Sequence, residues 1–394
     1  MTPNTPAGGN DPLPLVETLG PTGRAKTPSA DTVAERRAQL AVRSTPAALG
    51  YRMPAEWEPH AATWLAWPHN TLTWPDQLAQ VQDIFLGMMA ALHEHETVHL
   101  LVNDAATAAQ VKQRLHVRGV TSARVVMHQW RTADTWLRDS GPIFLTAASG
   151  ASQPLALNDW EFNAWGGKYL DLLPDNDLPQ QIAAFLGVPH FVPGIILEGG
   201  SIDVNGRGSC LTTEQCLLNP NRNARLRRPD IERYLRDYLG VHQVIWLGQG
   251  IAGDDTDGHV DDMARFVSPT TVVCGLEEDP QEPNYAVLQE NYRRLQAATD
   301  RDGHALRVIP LPMPGQVGPA SARLPASYAN FYIANGLVLV PIYDHPHDQQ
   351  ALAILQAVFP DRRVLGIPCE PLVWGLGAIH CVTQQQPAMP SARR

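Results

Sequence analysis

Cysteine is scarce in this chain. Its five cysteines are odd in number, scattered, and never spaced as CxxC, which argues against a disulfide framework and favours a reducing compartment. Long apolar runs are missing as well, since no stretch approaches the roughly 18 apolar residues that a membrane span needs. The opening residues, MTPNTPAGGNDPLPLVETLG, lack the basic stretch and apolar core of a leader. Basic residues are outnumbered, 30 Lys and Arg against 40 Asp and Glu, for a formal charge of −10. That sign disfavours a polyanionic partner and mildly favours cationic ligands through the summed field. The expectation is a cytoplasmic protein with no membrane or nucleic-acid partner.

Apolar residues, by contrast, are plentiful. At 44% hydrophobic over 394 residues the chain can bury a large core without covalent staples. Residues 1–45 are rich in Pro, Gly, Thr, Ala and Asn, with one short helical candidate at 30–43, and are expected to form a flexible extension. Residues 46–390 show no dividing linker and are expected to form one domain. Within them, short β-rich runs such as TVHLLVN, TVVCGL and LVLVPIY alternate with amphipathic stretches such as AQVQDIFLGMMAALHEH and YAVLQENYRRLQAATD. This mixture predicts an α/β or α+β fold. Three phrases run from a helix through a short gap to a strand ending near proline, in RRLQAATDRDGHALRVIPLP, LQAVFPDRRVLGIP and IAAFLGVPHFVPG, which hints at a repeated unit.

Four phrases concentrate polar residues, glycine and tryptophan at predicted strand ends: TWLRDSGP, LEGGSIDVNGRG, GDDTDGHVDD and GLGAIHC. GDDTDGHVDD reads either as a solvated loop or as a site, but it runs straight into the apolar ARFVSP. If the chain is extended there, His259 and Asp261 share one face and Asp262 takes the other. Such a pair suits proton transfer to a bound substrate. It also supplies two of the ligands of a two-histidine, one-carboxylate iron site, with His304, His345 or His347 as the third. TWLRDSGP places Trp136, Arg138 and Asp139 before a turn, either as a surface ion pair with a packed tryptophan or as part of a site. Glu198 precedes two glycines, which permit close approach of a backbone or ligand.

A lone intracellular cysteine is usually a small buried hydrophobe. Gly375 and Gly377 make Cys381 a stronger candidate nucleophile, and the polar TQQQ after it suggests a position at a rim. His380 precedes it directly, yet neighbours on an extended segment face opposite sides. The distant His259 is therefore the better partner.

From Arg52 to Pro387 these phrases, together with RMPAEWEPHAATWLAWP, DWEFNAWGGKY, DTDGHVDDMARFVSP and ASYANFYIANGLVLVP, resemble the agmatine deiminases. The resemblance implies the fold of the guanidine-modifying enzymes: α/β, a five-bladed β/α propeller (pentein) with pseudo-fivefold repeats of strand-helix units. It implies Cys381 as nucleophile, His259 as general acid/base, and Asp139 and Asp261 as the carboxylates that grip a guanidinium. Trp136, Glu198 and Asp255 correspond to substrate-binding positions. The implied reaction is hydrolytic deimination of agmatine to N-carbamoylputrescine and ammonia, a step toward putrescine, with no metal or cofactor. Another guanidino substrate, such as an arginine derivative or peptidyl-arginine, and a catalytically silent binding protein are the alternatives. The implied partner is a small cationic guanidino compound, and homo-oligomer formation is left open. One departure stands out. The family reads GGGNIHC where this chain reads GLGAIHC, so Leu376 replaces a glycine and Ala378 an asparagine, which points to a shift in substrate preference.

Overall fold

The structure is a computed structural model that describes residues 45–121, 123–148, 151–319 and 321–389. The expected extension lies outside the described residues except for Thr45. Among the described residues the strands group into five sheets, two of four strands and three of three.

All five sheets share one plan. Ile143–Ala147 pairs antiparallel with Leu155–Asn158, and the helix Leu178–Leu186 then leads to a parallel partner, His190–Phe191. Ile202–Val204 and Ser209–Thr213 repeat the antiparallel pair, and the helix Arg228–Leu239 leads to parallel Gln243–Leu247. The pattern recurs in Ala264–Ser268, Thr271–Leu276, the helix Tyr285–Ala297 and Arg307–Pro312. It recurs again in Tyr332–Ala334, Leu337–Ile342, the helix Asp348–Val358 and Arg363–Pro368. The last sheet is made from both ends of the domain: Gln384–Pro387 pairs antiparallel with His60–Ala66, which is followed through the helix Leu78–Leu92 by parallel Thr97–Val102. A parallel partner requires a crossover, and in each sheet a helix supplies it.

The helices form where the apolar period dictates. Leu78–Leu92 buries Val81, Phe85, Leu86, Met88, Met89 and Leu92, a single stripe along one face. Each such side chain contributes roughly 1.5–3 kcal/mol when fully buried. Arg228–Leu239 begins at Pro229 in its first turn and ends at Gly240, whose φ of 70° lets its N–H close back onto Arg236 and Leu235.

Two expectations fail locally. The TQQQ stretch is not a solvent-facing rim: Gln384, Gln385 and Gln386 are all buried. Their amides find partners inside, as in Trp64 Nε1 donating to Gln386 at 2.9 Å and Arg138 Nη1 donating to Gln385 at 2.8 Å. HVD is also not extended, since Val260–Asp262 forms a single 3-10 turn with His259 at its N-terminal edge.

Candidate active site

Despite that turn, His259 and Asp261 do converge, and they do so over a glycine. A Cβ at Gly200 would lie 2.5 Å from His259 Nδ1 and 3.0 Å from both Asp139 Oδ1 and Asp261 Oδ2. Three functional groups from two separate segments therefore meet where the chain has no side chain. The Gly200 N–H also donates to Asp139 Oδ1 at 2.9 Å, and the indole of Trp165 donates to Asp139 Oδ2 at the same distance. His259 Nδ1 faces Asp139 Oδ2 at 3.7 Å.

Cys381 sits in a turn rather than on a strand, so alternation of faces does not apply to it and His380. Both residues approach one oxygen. His380 Nδ1 lies 2.7 Å from Asp261 Oδ2, and Cys381 Sγ lies 3.9 Å from that same atom. His380 is nevertheless occupied, because its Nε2 meets Glu56 Oε2 at 2.7 Å. It positions Asp261 and has no free nitrogen to serve as a base for the thiol. The opposite-faces argument against His380 as base therefore does not hold here, whereas both of its nitrogens are engaged by carboxylates.

Behind this layer lies a buried ionic network that the sequence reading overlooked. Glu56 bonds His380, and Arg265 at 2.8 Å, while Arg265 reaches Asp203 at 2.6 Å. Burial alone would raise the Glu56 carboxyl, but Arg265, then His380 and Arg138, hold it well below the usual carboxylate range. Arg138 is no surface partner of Asp139. It is buried, donates to the His380 carbonyl at 3.2 Å, and its backbone N–H donates to the Cys381 carbonyl at 3.1 Å. Glu198 is also fully buried and is bound by Arg222, Nε to Oε1, at 2.5 Å. Arg222 reaches on to Asp257 at 2.7 Å and to the Thr256 carbonyl at 2.9 Å, so it ties Glu198 to the loop that carries Asp255 and His259. Asn330 donates to Cys381 Sγ at 3.2 Å and to Asp262 at 2.9 Å. Arg138 beside Asp139 was the one local sequence signal of this network, and it is indistinguishable from a surface pair until the fold is known.

A cavity of about 400 Å³ opens onto this cluster. Trp136, Asp139, Asp255 and Cys381 line it, with Trp165, Leu376 and three further acids or aromatics used below, Asp134, Asp171 and Tyr169. His259, Asp261 and Glu198 stand behind its wall, each 1% exposed or less. Asp255 accepts a hydrogen bond from Tyr169 at 2.5 Å. Among the described residues, Asp261 Oδ1, Glu198 Oε2 and both nitrogens of His259 are buried without a hydrogen-bond partner. Buried polar atoms are rarely left so, and here they gather beside a cavity.

The electrostatics follow from burial and crowding of carboxylates. Burial opposes charge on His259, but Asp139, then Cys216 and Asp261, outweigh it and hold its pKa well above the usual 6.5. Burial, then the carboxylates of Asp261, Asp262 and Asp139, push the Cys381 thiol well above its usual value, against the Ala378 backbone N–H that favours the thiolate. Asp139 is raised by burial against the opposing His259, with Asp261 and Glu198 adding to the rise. Burial and Asp261 raise Asp262 strongly. A negatively charged, desolvated site of this kind favours a cation.

Metal-ligating atoms do cluster here. Glu198, Cys216 and His259 form one group and Asp261, Asp262 and Cys381 another, with ligand atoms within 4.8 Å of one another. The third histidine considered for an iron site is not brought in. His304 pairs with Asp300 at 3.1 Å, His347 faces the Met313 carbonyl at 2.8 Å, and neither they nor His345 line the cavity.

Backbone strain concentrates at the same place. Five described non-glycine residues have left-handed φ, and four of them, Ala164 (55°), Trp165 (52°), Asp257 (65°) and Leu376 (67°), lie on or beside the cavity wall. Each such position costs an L-residue about 1–2 kcal/mol, and strain of this kind gathers at functional sites.

Several known proteins are similar to this chain over most of its length. An agmatine deiminase from Stutzerimonas stutzeri is 39% identical over 369 residues, covering 88% of this chain and 98% of the relative. One from Medicago truncatula is 38% identical over 378 residues, covering 88% and 99%. The structure of the agmatine deiminase of Enterococcus faecalis superimposes with a TM-score of 0.82 at 34% identity, covering 88% of this chain and 98% of that one. Residues 52–387 match the family described as Porphyromonas-type peptidyl-arginine deiminase, and the chain belongs to that family.

Proposed function

We propose that the chain is an agmatine deiminase that hydrolyses agmatine to N-carbamoylputrescine and ammonia through a covalent intermediate on Cys381. The observation that carries this reading is that Asp139 and Cys381 line one cavity while Asp261 stands directly behind its wall, with its Oδ2 3.9 Å from Cys381 Sγ and its Oδ1 unpartnered. A guanidinium stays charged and presents a planar fork of N–H groups, which two carboxylates can grip. Its arrival offsets the carboxylates that hold Cys381 as a thiol, and the thiol ionises, losing its proton through the open cavity to solvent.

The thiolate adds to the guanidinium carbon. His259, held protonated by Asp139, gives its proton to a terminal nitrogen, the C–N bond breaks, and ammonia leaves. The amidino group remains on sulfur as a thioether. Neutral His259 then takes a proton from water, the hydroxide adds to the same carbon, and the C–S bond breaks as the new hydroxyl loses its proton to solvent, releasing the ureido product and the thiolate. Trp136 lines the route of the alkyl chain, Glu198 sets the environment of His259, and Asp255 adds negative charge nearby.

The cavity lining favours agmatine over arginine. Among the described residues it contains Asp134 and Asp171 for a distal ammonium and no Arg or Lys to receive an α-carboxylate. The five-sheet plan supports a five-bladed propeller closed by the sheet that joins both ends of residues 46–390. All five cysteines are free and buried, which suits the cytoplasm. No helix among the described residues is long and apolar enough to cross a membrane. Incubation of the purified protein with agmatine, arginine and a peptidyl-arginine, followed by assay of ureido product and ammonia, tests the reading. Product from agmatine is expected, and product from none of the three refutes it.

A further inference from the structure

The loop Trp374–Gly377 forms part of the cavity wall, and its glycines leave no room for side chains. A Cβ at Gly375 would lie 2.7 Å from the indole of Trp74, and one at Gly377 would lie 2.5 Å from the indole of Trp136 and 3.1 Å from Cys381 Cβ. Between two residues pinned against tryptophans, Leu376 supplies a bulky side chain. It does so with a φ of 67°, a conformation that a glycine adopts without strain and leucine does not. Leu376 lines the cavity, partly buried against the neighbouring hydrophobic core, one residue from the point where the loop touches Cys381.

The cavity lining also includes Leu72, Leu172 and Trp374. An apolar wall with acids elsewhere in the lining suits a ligand with an alkyl middle and cationic ends. Strain persists where the surrounding structure holds it in place, and a side chain kept in a strained conformation inside a binding cavity is a candidate for shaping that cavity.

We propose that Leu376 is a specificity-determining residue, narrowing the cavity beside Cys381 so that only a slender, unbranched alkyl guanidine is turned over efficiently. This deepens the deiminase reading and rests on it. Exchange of the leucine would widen the cavity without touching Cys381, His259, Asp139 or Asp261.

The test compares wild type, Leu376→Ala and Leu376→Gly on agmatine and on an agmatine analogue bearing a benzyl branch beside the guanidino group. Circular dichroism confirms that each variant is folded. The ratio of kcat/KM for agmatine to that for the branched analogue should fall at least tenfold in Leu376→Gly, with Leu376→Ala between, through a gain on the branched substrate. A ratio unchanged within twofold in both variants overturns the proposal. If wild type converts no guanidine, the deiminase reading fails separately. The cavity claim is then read from alkylation of Cys381 by iodoacetamide and by an N-aryl iodoacetamide. Selective acceleration of the aryl reagent in Leu376→Gly supports it, and equal rates overturn it.

Discussion

Cys381 is a buried thiol facing carboxylates, and its chemistry depends on what neutralises them. Asp261 is the residue through which the parts communicate, since one of its oxygens meets both His380 and the thiol while the other is unpartnered. Trp165 tests the grip on substrate. Replacing it by Phe removes the indole donor to Asp139, a hydrogen bond to a charged group worth about 1.5–3 kcal/mol. Steady-state kinetics should show kcat/KM for agmatine lowered by about tenfold or more. His259 makes a pH prediction. Its folded pKa stands above the unfolded value of 6.5, so its contribution to stability is complete below that value and is lost as pH rises through the raised folded one. Melting curves from about pH 6 to about pH 10 should show wild type losing more Tm than His259→Gln over this window. Parallel decline in the two proteins would contradict the assignment.

The elements that hold these residues are turns and loop glycines more than strands. Gly200 matters most for the site, because any side chain there meets His259, Asp139 and Asp261 at once. Gly200→Ala should fold, by circular dichroism, yet lose on the order of 100-fold in kcat/KM, the scale of a displacement near 1 Å in a reacting group. The helices and most long strands were legible from periodicity: TVVCGL and RVLGIP form strands over the residues read for them. QQQP was not, because a polar strand becomes buried only when a neighbouring segment supplies partners such as Trp64 and Arg138. The same limit hid the Glu56 and Arg222 ion pairs. Each joins positions far apart in the chain, and no local spacing encodes them. His259 and Asp261 were read as a pair from an extended geometry that the 3-10 turn replaces, so the residues were found for a reason that the fold does not share.

At the scale of the whole molecule, the excess of 40 acidic over 30 basic residues should draw a dicationic substrate toward the cavity. Raising ionic strength from about 10 mM to about 0.15 M shortens the screening length from about 30 Å to about 8 Å. The kcat/KM for agmatine should fall several-fold while kcat holds nearly constant. A salt-independent kcat/KM would remove steering from the account. The five repeated sheet units bring Asp139 and Asp255 to one cavity, with Asp261 just behind its wall, and leave Cys381 to be supplied by the turn before the closing strand. The central claim is that this cysteine carries the substrate carbon during turnover. Acid-quenched mass spectrometry of the enzyme mixed with agmatine tests it most directly. The account predicts an adduct on the Cys381 peptide with the mass of agmatine less ammonia, absent from Cys381→Ser, which forms no ureido product. Full turnover by Cys381→Ser would contradict it.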